Sequence, residues 1–117
     1  MFAIINNDIK ITRGDTGVFT LAIKNGNTDN GNTDYDYSND TVLFTVKQNT
    51  LTTDVLIQKT VRYGENVAIE PSDTANLSYG EYWYDVQVTT QGGIVDTVIT
   101  PHKFRVLDEV TFNGVNG

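Results

Sequence analysis

The chain has one histidine, His102, set between Pro101 and Lys103, and three serines, Ser38, Ser72 and Ser78. Nucleophilic catalysis needs a histidine oriented beside a nucleophile on a strained elbow. None of these serines stands in such a context, so no catalytic residue is assigned. Glycoside hydrolysis would need two carboxylates in one cleft. Glu81, Asp85 and Asp96 are the nearest candidates, but they alternate with polar residues on what reads as a solvated strand face. No glycine-rich loop precedes a helix to cradle phosphate.

Residues 25–34 spell one five-residue word twice, NGNTDNGNTD. Asp29, Asn32, Asp34, Asp36 and Asp40 offer oxygens to a hard cation. An EF-hand loop, however, needs its turn glycine five residues after the first ligand. Gly31 would put that ligand at Gly26, and Gly26 would put it at Leu21. No metal and no cofactor are therefore expected. Asn-Gly steps and polar runs favour turns over packed structure, so residues 25–40 are expected as a flexible polar loop. Arg13-Gly14-Asp15 matches a tripeptide that integrins read, but a tight turn with glycine backbone angles explains it more simply.

Composition bounds the partners. With 117 residues, 15 Asp+Glu and 8 Lys+Arg, the chain carries a net charge of −7. Nucleic acids and anionic membranes call for a basic face, so neither is expected. The absence of cysteine excludes disulfides, thiol chemistry and zinc ribbons. No leader and no membrane span is expected from the opening MFAIINNDIK or beyond.

The elements that must position any site follow from period-two alternation. Phe19, Leu21 and Ile23 share a face; so do Val42, Phe44 and Val46, and Tyr82, Tyr84, Val86 and Val88. Each set reads as a strand with one buried face. Strands are expected near 9–12, 17–24, 41–47, 55–61, 66–70, 81–90, 94–100 and 103–107, with Gln91-Gly92-Gly93 as a tight hairpin. Parity breaks between Ile99 and Phe104, around Pro101, which a bulge at Thr100–His102 would repair. A short helical turn is expected near 71–77, with Tyr79 or Tyr82 as a tyrosine corner after it. Seven or eight short antiparallel strands of this kind read as an immunoglobulin-like β-sandwich. The domain is expected to span 1–110, followed by a loose tail at 111–117. A first piece of 24 residues could not hold a core, so the repeated word interrupts one domain.

Tyr82-Trp83-Tyr84 carries the strongest functional signal. If the tyrosines face inward, Trp83 faces outward, where exposed apolar area needs cover. Leu43 falls on outward parity too. Trp83 either packs beneath a loop of the chain, such as 25–40, or anchors a protein contact, or stacks a sugar. Tyr35 and Tyr37 close the insert and add loop aromatics. The candidate interface residues are therefore Trp83, Leu43, Tyr35 and Tyr37.

Three stretches, "DIKITRGDTGVFTLAIKNG", "TVLFTVKQ" and "YGEYWYDVQVTTQGGIVDTVITPHKFRVLDEV", carry a further signal in their order and spacing. An R-G-D-T turn leads into a long strand, an F-T-V-K strand follows, and a G-x-Y-x-Y-D-V strand passes through a glycine hairpin to F-x-V. This pattern resembles the immunoglobulin-like N-terminal domain of upper baseplate proteins from tailed phages and prophages of Gram-positive bacteria. The resemblance spans roughly 9–110. It implies a non-enzymatic structural or adaptor module of a virion tail, synthesised in the host cytoplasm. Such a module docks onto other tail proteins as a homo-oligomer. The alternative is a cell-surface recognition module, adhesin-like or carbohydrate-binding.

Overall fold

The computed structural model describes residues 1–23 and 35–108. Eight strands and one helical turn follow in the order β1 (Phe2–Ile5), β2 (Asp8–Thr12), β3 (Gly17–Thr20), β4 (Thr41–Lys47), β5 (Ile57–Val61), β6 (Asn66–Ile69), α1 (Pro71–Thr74), β7 (Gly80–Thr89) and β8 (Val95–Leu107). They form a six-stranded sheet, β1-β2-β8-β7-β4-β5, and a two-stranded sheet, β3-β6. The chain is all-β, as its alternation predicts. The large sheet is mixed rather than antiparallel throughout, because β2 runs parallel to β8, with Ile9 opposite Phe104 and Ile11 opposite Val106. The alternation of residues in a strand specifies which face is buried, not the direction of its neighbour.

The N-terminal hairpin was not expected. FAII pairs with DIKI around Asn6 and Asn7, which hold φ of 51° and 68°. Two consecutive left-handed residues make the turn whose twist matches a tight hairpin, and asparagine tolerates that region better than most residues. Gly17 at the start of β3 has a different constraint. A Cβ there would lie 2.3 Å from the Phe2 ring, so β1 can close over β3 only because position 17 lacks a side chain. Gly14, with φ 85°, does serve as the left-handed residue of the turn after β2.

The expected strands at 94–100 and 103–107 are one strand, β8, bent rather than broken. Its pairing with β7 slips between Tyr84 and Val86, where Tyr84 faces His102 and Val86 faces Ile99. That bulge falls where the parity break and Pro101 place it. A second slip lies between Val86 and Gln87, which faces Thr97. Consecutive Val98 and Ile99 both pack against the core, whereas Val95 is exposed. The hairpin closes through Thr90 N–H to the Ile94 carbonyl and Gly93 N–H to the Thr90 carbonyl, both 2.9 Å, with Gly93 at φ 85°.

One apolar cluster joins the two sheets. Phe44 is its centre, 1% exposed, with ring centroids 5.7 Å from Phe19, 5.1 Å from Tyr84 and 6.4 Å from Phe104. Val67 and Ile69 of β6 close the opposite side. Burying rings of this size contributes about 1.5–3 kcal/mol each, so the β7 and β4 faces are fixed by the core long before any site is considered.

The α1 turn is shorter than the expected 71–77. Its N-cap is Glu70. The Asp73 carboxylate accepts from Glu70 N–H at 2.7 Å, and Pro71 occupies the first turn, where its missing N–H costs nothing. Asp73 also pairs with Lys59 at 2.8 Å. That ion pair ties α1 to β5, the edge strand. Tyr82 then donates to the Ser78 carbonyl at 2.6 Å, the contact that a tyrosine corner would make.

At the C-terminal end of the expected loop 25–40, Tyr35 N–H donates to the Ile23 carbonyl at 2.7 Å, and Asp40 N–H closes a local turn on the Tyr37 carbonyl at 3.0 Å. The repeated word at 25–34 and the tail at 111–117 lie outside the described residues.

Candidate functional site

Outward-facing side chains of β4, β5 and β7 stand side by side because the backbone register sets them so. Leu43 faces Thr60 and Gln87, Thr45 faces Gln58 and Asp85, and Lys47 faces Trp83. On the other flank Trp83 faces Lys103. The loop joining β4 to β5 rises beside this row. Asn49 Oδ1 accepts from Leu51 N–H at 2.9 Å and Thr52 N–H at 3.0 Å, and such asparagine-centred turns give a loop a fixed shape. Leu56 N–H returns to the Val46 carbonyl at 2.9 Å.

Sheet face and loop enclose an open cleft of about 240 Å³. Trp83 and Leu43 supply its apolar surface, with Val55 from the loop. Asn49, Gln58, Asp85 and Gln87 supply hydrogen-bonding groups, and Lys47 and Pro101 line it as well. The Gln58 amide donates to Thr45 Oγ1 at 3.2 Å and the Gln87 amide to Thr97 Oγ1 at 3.4 Å. Cross-strand bonds of this kind hold long amides in place on a sheet. Burial pushes the Asp85 carboxyl above its ordinary range, and the Lys47 charge partly opposes that. Beyond the cleft, Glu81 binds Arg105 at 2.8 Å and Lys103 at 3.7 Å.

The four candidate interface residues separate. Trp83 and Leu43 are half-buried and line the same cleft. Among the described residues, the loop that lines the cleft together with Trp83 is 48–56, through Asn49, Thr50 and Val55. Tyr35 is half-buried, with its hydroxyl donating to the Asp40 carboxylate. That bond holds the phenol proton and raises its pKa. Tyr37 is corrected outright as an interface candidate: it is 2% exposed and belongs to the core. Its ring meets Tyr63 edge-on at 5.1 Å, and its hydroxyl donates to the Leu21 carbonyl at 3.1 Å. A tyrosine can be buried at little cost when its oxygen finds such a partner.

The Arg13-Gly14-Asp15 turn is part of the fold. Arg13 donates to the Tyr79 hydroxyl at 3.0 Å and lies 4.5 Å over its ring. Gly14 N–H donates to buried Thr74 Oγ1 at 2.9 Å. The arginine is thus engaged with the segment after α1.

Sequence reasoning located Trp83 and Leu43 but missed Asn49, Gln58 and Gln87 as their companions. Outward parity marks Gln87, and Gln58 is marked once the strand is aligned. What the alternation lacks is that β4 lies between β5 and β7. Comparison with protein-family models, with curated proteins and with solved structures gave no match.

Proposed function

We propose that this chain is a non-enzymatic docking module of a phage or prophage tail baseplate, built as an immunoglobulin-like sandwich and held in the virion by protein contacts. The strand order supports the fold reading. β8-β7-β4-β5 corresponds to the G-F-C-C′ order of a variable-type sandwich, and β3-β6 to its B-E pair. The Tyr82 bond to Ser78 matches the corner hydrogen bond of that fold. Among the described residues the small sheet has two strands rather than four, a departure from the usual pattern. The tail context rests on the sequence resemblance.

The observation that carries docking is exposed apolar side chains at opposite ends of the long sheet. Leu51 is 93% exposed in the β4–β5 loop, and Leu56 is exposed beside it; Ile94 is 68% exposed at the β7–β8 tip, with Val95 next to it. Because β4 and β7 are antiparallel, these loops leave the sheet at its two ends. Apolar groups placed at both ends suit a subunit that contacts neighbours on either side, and they have no role in the core. Light scattering across concentration tests this. The chain should form a defined oligomer that the double variant Leu51→Asp/Ile94→Asp dissolves without altering circular dichroism. A strict monomer up to high concentration would overturn the reading.

A further inference from the structure

We infer that the cleft on the outer sheet face binds a neutral saccharide. Its surface joins two chemistries that a sugar ring also joins. The Trp83 indole offers a flat apolar face with negative charge density, which suits the polarised C–H groups on one side of a pyranose. Around it stand Asn49, Gln58, Asp85 and Gln87, amides and a carboxylate that match ring hydroxyls as donors and acceptors. The Gln58 and Gln87 amides stand beside Thr45 Oγ1 at 3.2 Å and Thr97 Oγ1 at 3.4 Å, exchangeable partners that ring hydroxyls can replace.

Other occupants fit less well. A purely apolar ligand would strip water from those amides and from Asp85 without replacing their hydrogen bonds. An added polypeptide strand cannot pair with the floor, because the backbone of β4 is already paired on both sides, to β5 and to β7. A polyanionic glycan meets a chain of net charge −7, and within the cleft Lys47 is offset by Asp85. The volume of about 240 Å³ falls below the ~300–1,000 Å³ of enclosed small-molecule pockets. The open side therefore takes a short terminal unit while the rest of the glycan extends into solvent. The site uses neither Leu51 nor Ile94, so it stands apart from the docking reading.

Trp83 is the only tryptophan, so its emission reports from the cleft itself. The test titrates the intact chain with chitotetraose, maltotetraose and cellotetraose, with heparin as the anionic control. One neutral probe should give a saturable change in tryptophan emission, with the apparent Kd raised about tenfold or more in Asp85→Ala and in Gln87→Ala. Ile94→Asp should bind as the unmodified chain does, even if it abolishes self-association. No saturable change with any neutral probe would overturn the inference. So would an equal response to heparin, or affinities unchanged in both cleft variants. Circular dichroism of each variant keeps loss of folding separate from loss of binding.

Discussion

Removing one oxygen from Tyr84 should change the alkaline limit of stability. Tyr84 lies on the inner face of β7, 5% exposed, against Phe44, and its hydroxyl donates to the Asn7 carbonyl of the first hairpin. Burial, and secondarily the negative charge of Asp8, raises its pKa from 10.0 to about 12. The folded chain therefore holds this proton more tightly than the unfolded chain. Its contribution is complete below about pH 10 and is lost as pH rises towards 12. Linkage gives a loss of roughly 1 kcal/mol by pH 11 and roughly 2 kcal/mol by pH 12. Tyr84→Phe keeps the ring and gives up a hydrogen bond worth about 1 kcal/mol. The variant should thus be less stable near pH 8, equal near pH 11, and more stable than the parent at about pH 12. Tyr35 and Tyr37 titrate in both proteins, so their effects cancel in the difference. Urea unfolding followed by circular dichroism at closely spaced pH values measures it. A stability gap that stays constant or widens above pH 10 would refute the reasoning.

Two further predictions concern the packing that holds the site. Thr74→Val should destabilise by about 1–3 kcal/mol, because it removes a buried hydroxyl that accepts from Gly14 N–H at 2.9 Å; Thr74→Ser should recover most of that, and thermal melts of the pair separate hydrogen bonding from volume. Gly17→Ala should cost about 1–3 kcal/mol through overpacking against Phe2, since the new carbon would lie 2.3 Å from its ring; Gly17→Ala combined with Phe2→Ala should be less destabilised than the two single changes added together.

Alternation legible in the sequence determined which residues are buried on β4 and β7. Val42, Phe44, Val46, Tyr82, Tyr84, Val86 and Val88 all lie in the core, because a strand with one wet face has no other way to hide its apolar side. The same parity put Trp83 and Leu43 on the outer face. The bulge beside Pro101 was legible too, since proline cannot complete the ladder there. Alternation could not supply the neighbours. That β4 lies between β5 and β7 is a contact between distant parts of the chain, and it alone brings Leu43 and Gln58 to the row that Trp83, Asp85 and Gln87 form along β7. Nor could it separate Tyr37 from Tyr35. Both sit in a polar stretch, and only the packed body offers Tyr37 a ring contact with Tyr63 and the Leu21 carbonyl. Local pattern decides which way a side chain faces; what it meets there is decided by the tertiary structure, because those partners come from residues far away in the chain.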